Sequence, residues 1–259
     1  GYGGADLSAV QTSLGLSTTG WGCQVVHSNS IADDFVVPEP WIIETMTFFV
    51  YQTLGPTTST ITDFRVQIYD GPPDSGGTVI WGDLTNNRMI DTDFSGVYRA
   101  FDTDPASPDR PIMYVECAVP VELMPGTYWV EYQCDGDPTY TGPWQSPVSI
   151  VGTTTTGNAL LNSGTWNPIV DTGTSTPQGV PFVIHGELSP AGFINFDDLT
   201  NLDPVGSHYP GVTFSPGWGA WQSQGVPQYP PHSVPNTAFT HEITNYIQFD
   251  CDINELSLY

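Results

Sequence analysis

The segment PIMYVECAVPVELMPGTYWVEYQCD, from Pro111 to Asp135, alternates apolar and polar residues on both sides of the turn dipeptide Pro125-Gly126. That pattern predicts two β-strands, because successive side chains of a strand point to opposite faces. With the turn centred on Pro125 and Gly126, Cys117, Val119, Val121 and Leu123 stand across from Cys134, Tyr132, Val130 and Tyr128. Glu116, Ala118 and Glu122 share the other face with Gln133, Glu131 and Trp129. A slip of one residue would destroy both matches. The spacing therefore predicts a hairpin in an all-β domain, pinned by a Cys117–Cys134 disulfide. Pro120 cannot donate to a ladder, so it marks an edge, a bulge or a strand that changes sheets. In the last case the same two cysteines would bridge two layers.

The rest of the chain supports the all-β class. No stretch carries apolar residues at three-to-four spacing, and 27 glycines and 24 prolines break it into short alternating runs. The 28 acids face only four bases, Arg65, Arg88, Arg99 and Arg110, for a net charge of −24. Nucleic acid and anionic membranes both need a cationic footprint, so neither is an expected partner. Charged residues make up 12% of the chain, about half the usual share, which leaves the surface to Thr, Ser, Asn, Gln and Gly. Aromatic residues, also 12%, suffice for a core. Absence of lysine removes Schiff-base chemistry. It also fits, with the even cysteine count, a secreted protein of an oxidising compartment. No apolar run reaches the roughly 18 residues of a membrane span, and a chain opening on Gly1 leads to the expectation of a processed end.

Three regions are expected: an N-terminal extension over 1–30, a jelly-roll or immunoglobulin-like β-sandwich over 31–188, and a second β-sandwich over 193–259, incomplete in this chain. Ile31–Thr53 reads as a short strand, a turn at Pro38–Pro40, and a long strand that alternates Ile43, Thr45, Thr47 and Phe49 against Glu44, Met46, Phe48 and Val50. Ile61–Pro73 puts Phe64, Val66 and Ile68 on one face and Asp63, Arg65, Gln67 and Tyr69 on the other. Val79–Trp81 and PFVIHGEL are further strands, whereas DTDFSGVYRAFDTDPASPDR reads as an Asp-rich loop. The chain ends at Tyr259 within an alternating segment, so the natural chain is expected to continue, or a neighbouring subunit to complete the sheet.

Two passages carry a family likeness. ADDFVVPEPWIIETMTFFVYQT, with VELMPGTYWVEY and PFVIHGEL, resembles the ADDF-type β-sandwich of secreted proteins of planctomycetes and related bacteria. Such proteins often bear a PEP-CTERM-like sorting signal, which is not seen here. INFDDLTNLDPVGSHYPGVTFS, with IQFDCDINELSLY, is similar to the start of the lectin-like sandwich domains that accompany them. The resemblance implies an extracellular, surface-associated, non-catalytic role and supplies no catalytic motif.

Candidate sites follow from residue type. Calcium takes about six to eight oxygens, and paired aspartates in loops supply them, so Asp197 and Asp198 at a strand end are the first candidates for structural calcium. Asp91, Asp93, Asp102 and Asp104 come next; the competing role of each is to cap a turn. Trp218, Trp221 and Tyr229, in the loop Pro216–Pro235, offer flat faces for sugar rings, against the alternative of packing beneath their own loop. No GxSxG elbow is present, and HEITN lacks the second histidine of HExxH. His27, His185, His208, His232 and His241 are scattered, His185 reading as a core residue of its strand. Cys23 and Cys251 remain, to pair with each other, with a missing part of the chain, or between subunits. The expectation is a secreted structural or adhesive surface protein that self-associates or meets other surface proteins. The alternative is a carbohydrate-binding module with glycan partners.

Overall fold

The computed structural model describes residues 2–189 throughout, and beyond them 204–207, 212–215, 218–222, 236–240 and 247–249. Internal contacts divide the chain into two units, Gly1–Glu187 and Leu188–Tyr259. Thirteen strands run up to that boundary: β1 (Asp6–Val10), β2 (Trp21–Gly22), β3 (Ser30–Val37), β4 (Trp41–Thr53), β5 (Ile61–Tyr69), β6 (Val79–Asp83), β7 (Met89–Phe101), β8 (Pro111–Leu123), β9 (Gly126–Gly136), β10 (Thr141–Gln145), β11 (Leu160–Asn162), β12 (Trp166–Pro168) and β13 (Phe182–Leu188). They form two sheets, a seven-stranded one in the order β1-β7-β8-β4-β10-β2 with β13 also on β4, and a six-stranded one in the order β12-β11-β3-β9-β5-β6. The fold is an all-β sandwich, as expected.

The predicted hairpin over 111–135 does not form. β8 lies in the seven-stranded sheet between β7 and β4, while β9 lies in the six-stranded sheet between β3 and β5. Only Met124 and Pro125 separate them. Three residue steps from Leu123 to Gly126 reach about 10 Å, the distance between packed sheets, so the turn dipeptide spans the layers instead of reversing within one. β3 and β4 do the same through Pro38, Glu39 and Pro40. The two crossings are neighbours, because Val37 pairs with Gly126 in one sheet and Trp41 with Leu123 in the other. In effect one long antiparallel ribbon, β3–β4 against β8–β9, is bent over at its prolines to make both layers. Paired residue numbers add to 163 from Ile31↔Tyr132 to Val37↔Gly126 and again from Thr45↔Ala118 to Tyr51↔Ile112. Between these stretches they add to 164, since one side of the bend has a residue more than the other. A β-bulge restores the register, with Val119 and Pro120 opposite Glu44 alone. Of the three readings of Pro120, the bulge is realised at the proline itself, and the change of sheet follows at Met124 and Pro125.

That bulge also corrects the phase expected for β4. Its residues in the core between the sheets are Ile43 and then Met46, Phe48 and Val50, so alternation slips by one at Glu44. Bulges likewise hid β7, whose sequence reads as a loop. Its ladder to β8 skips at Ile90 and again at Ser95 and Gly96, and each skip scrambles the two-residue period. The first thirty residues, expected as an extension, belong to the sandwich: β1 lies parallel to β7, with Asp6 beside Val97 and Val10 beside Phe101.

The core between the sheets is aromatic at its centre. Phe48 lies 4.8 Å from Phe64 and 4.7 Å from Tyr132, ring centre to ring centre, and all three are fully buried. The Tyr132 hydroxyl donates to Gln145 Oε1 at 2.7 Å, so its polar end is satisfied. Ile31, Val66, Ile68, Val115, Val119 and Val130 complete the layer, each contributing about 1.5–3 kcal/mol of burial. His185, expected in the core, is exposed on β13, the last strand added to the edge of β4.

The described strands of the second unit are β14 (Val212–Phe214), β15 (Trp218–Gln222), β16 (Asn236–Thr240) and β17 (Ile247–Phe249). β14 pairs with β17 and β15 with β16, both antiparallel. The stretch expected as a loop around Trp218 and Trp221 is therefore a strand in part. Whether the sheet is completed beyond Phe249 lies outside the described residues.

Candidate functional site on the six-stranded sheet

Pairing across five strands builds an aromatic and polar surface on the outward face of the six-stranded sheet. On β9, Val130, Tyr132 and Cys134 enter the core, so Trp129, Glu131 and Gln133 face the other way. On β5, Phe64, Val66 and Ile68 point in and Arg65, Gln67 and Tyr69 point out. Register then sets three rows. Tyr69 stands beside Trp129 and Trp129 beside Asp34. Gln67, Glu131, Ala32, Leu160 and Pro168 form the second row. At the third level Arg65 pairs with Gln133, and Ser30, Asn162 and Trp166 line up on β3, β11 and β12. At a strand spacing of ~4.8 Å, the surface is about 19 Å wide from β5 to β12.

Glu131 is its polar centre. The residue is 2% exposed, and three neutral donors from the two flanking strands, β5 and β3, hold its carboxylate. Gln67 Nε2 and the Tyr69 hydroxyl each donate to Oε2 at 2.6 Å. Ser30 donates its hydroxyl to Oε1, and Gln67 also donates to the Tyr69 oxygen at 2.8 Å. Burial, then the adjoining carboxylate, push the Tyr69 hydroxyl well above the ordinary tyrosine range, so it stays a donor. Next to this network, Trp129, Ala32 and Leu160 form a small apolar cluster of their own, with Tyr69 and Trp166 packed against it. Trp129 is covered, whereas Tyr69, Trp166, Gln67 and Asn162 remain half-buried and reachable. Arg65, the one arginine in these rows, is held by Asp63 at 2.6 Å. The face thus offers aromatic area, amides and phenol, but no free cation.

The residues singled out from sequence fall elsewhere. Cys117 and Cys134 lie on strands of different sheets and both are free thiols; the sulfur beside Cys134 is that of Cys23, at 3.0 Å. The disulfide predicted between Cys117 and Cys134, whether within a hairpin or as a bridge between layers, is therefore corrected: neither form is present. Asp91 and Asp93 are exposed on β7, Asp91 accepting from the Tyr114 hydroxyl at 2.7 Å and Asp93 from the Phe94 amide at 2.8 Å. Asp102, just past the far end of β7, accepts from the amides and hydroxyls of Thr12 and Ser13. Hydrogen bonds led by that of the Thr12 hydroxyl lower its pKa. Asp104 lies in the turn that follows, its amide donating to Phe101. The two pairs are at opposite ends of a 13-residue strand and do not converge. Among the described residues, no three of His, Cys, Asp and Glu gather as metal ligands. Asp197 and Asp198 lie outside the described residues. Trp218 packs on Phe214 with ring centres 5.5 Å apart; of Trp221 only the backbone is described, and Tyr229 lies outside.

Alternation assigned Trp129 and Glu131, and also Gln67 and Tyr69, to outward faces. What it did not supply was that β5, β9, β3, β11 and β12 are neighbours, which turns four scattered outward residues into one surface. No family model, no curated protein and no solved structure matches this chain.

Proposed function

We propose that this chain is a secreted, non-catalytic adhesive protein of the cell surface whose first unit binds neutral glycans on the outward face of the six-stranded sheet. The observation that carries the reading is the joining of the reachable Tyr69, Trp166, Gln67 and Asn162 on one ordered sheet face, held in place by the covered Trp129 and Glu131 beneath them. Sugar rings present C–H faces that pack on aromatic rings and hydroxyls that pair with amides, and a rigid sheet holds both in register. Net charge selects the class: a chain at −24 repels uronate- and sulfate-rich polymers, and Arg65 is already occupied. The likeness of the ADDF passage to secreted bacterial sandwiches supports the extracellular placement.

The test is affinity electrophoresis of the full chain through gels containing neutral or acidic polysaccharides, with Tyr69→Ala and Trp166→Ala alongside. Retardation by at least one neutral polysaccharide, weakened tenfold or more in either variant, is expected. Equal mobility in every gel, or retardation unaltered by both changes, refutes the assignment.

Self-association is the second reading, and one observation favours it. β6 ends the six-stranded sheet, and Val79 and Ile80 on it are each 45% exposed, an edge suited to strand addition. Sedimentation that stays monomeric at millimolar concentration would exclude it.

A further inference from the structure

Cys23 lies where the chain leaves the seven-stranded sheet, after β2, and enters the six-stranded sheet at β3. There it runs alongside β9: the Cys134 amide donates to the Cys23 carbonyl at 2.8 Å, and Gln24 makes a parallel bridge with Cys134. The two backbones are thus hydrogen-bonded neighbours, the separation from which disulfides are made. Both side chains are 0% exposed, and their sulfurs are 3.0 Å apart. A bond of ~2.05 Å needs an approach of only about 1 Å. Cys23 Sγ has one further polar neighbour, the Pro143 carbonyl at 3.7 Å, and the surrounding wall is Tyr132 and the apolar core.

We infer that Cys23 and Cys134 are joined by a disulfide when this chain folds in an oxidising compartment. The oxidant is an external disulfide, small-molecule or enzymatic. The thiolate of one cysteine attacks it, forming a mixed disulfide and releasing one thiolate. The second cysteine, as thiolate, attacks the protein sulfur of that mixed disulfide and expels the other. Two protein thiols become one disulfide, the oxidant takes up the two electrons, and the two protons end on its released thiols. In the closed sandwich, burial and then the hydrogen bond to Cys23 push the Cys134 thiol far above its ordinary range, so exchange belongs to the folding chain. Once formed, the bond is sealed from reductant. It ties the crossing segment to the middle of the sheet and closes a loop across 111 positions. Cys117, buried on the opposite sheet, takes no part.

The full chain, refolded in a reduced/oxidised glutathione buffer, is unfolded without reductant, alkylated and digested. Chymotrypsin with a protease cutting at aspartate suits a chain with four arginines and no lysine. The Cys23 and Cys134 peptides are expected to travel as one species that separates on reduction, with Cys117 alkylated. Alkylation of both Cys23 and Cys134, or a link from either to Cys117 or Cys251, overturns the inference. Reductant is expected to lower the urea midpoint of the wild type and of Cys117→Ser alike, and to leave that of Cys23→Ser unmoved. A reductant effect equal in all three overturns it as well.

Discussion

Asp33 is a carboxyl that the fold has buried without a cation. It sits on β3, 6% exposed, and its oxygens accept the Val180 amide at 2.8 Å and the Asp34 amide at 3.0 Å. Burial outweighs these two bonds and raises its pKa from 3.8 to about 6. A carboxyl with a raised native value makes the folded state bind more protons than the unfolded state between those two pH values. Stability therefore falls as pH rises through that window and is flat above it. Two units are worth about 3 kcal/mol, of which about 2 kcal/mol develops between pH 4 and pH 7. In Asp33→Asn the Val180 bond survives and the Asp34 bond is lost, a cost of about 1 kcal/mol that does not vary with pH. Urea unfolding of both proteins, followed by tryptophan fluorescence at four pH values from 4 to 7, isolates the effect, because the other carboxylates cancel in the difference. The variant is expected to gain about 2 kcal/mol on the wild type over that range. Parallel curves would refute the argument that a buried charge is being carried at neutral pH.

Other sites make separate demands. Arg99, 2% exposed, donates to the Thr18 and Thr19 carbonyls at 2.9 and 3.0 Å and to Ser149 Oγ at 2.8 Å; Arg99→Met should cost about 3 kcal/mol in urea unfolding by orphaning those acceptors. Arg99→Lys should recover little of this, since a lysine ammonium lacks the planar fork. Phe48→Ala should cost about 3–5 kcal/mol by the same assay, as it opens the stack between Phe64 and Tyr132. For Asp171, burial raises the pKa, but the amides of Thr18, Thr174, Ser17 and Gly173 outweigh it and the value is lowered. Its stabilising effect is complete above the ordinary aspartate value and is lost as pH falls through the lowered one, so the wild type should lose more stability than Asp171→Asn between pH 4 and pH 2.

Strand content was legible wherever alternation ran without interruption. β5 could be read with its facing because Phe64, Val66 and Ile68 keep a clean period of two. β7 could not, because Ile90 and the Ser95-Gly96 pair break the period twice within 13 residues. The same limit applies to the turn at Pro125. A proline-bearing reversal within a sheet and a crossing between sheets have the same local sequence, and only the partners of Leu123 and Gly126, at Trp41 and Val37, distinguish them. With the crossing misread, Cys134 was matched to Cys117 instead of Cys23, whose neighbourhood depends on a segment with almost no strand of its own. The outward surface around Glu131 was invisible for a related reason: its rows run across five strands that the sequence order interleaves.

The placement of residues 6 to 24 bears on how this protein is made. Ser8 emerges from the ribosome 91 positions ahead of Arg99, and Cys23 comes 111 positions ahead of Cys134. At ~5–20 residues per second these segments wait roughly 5–20 s for anything to bind. During that interval the nascent Cys23 thiol is bare, and whatever protein it meets first can capture it. Cys23 thus stays without the sulfur it lies against in the folded sandwich until β9 has been synthesised.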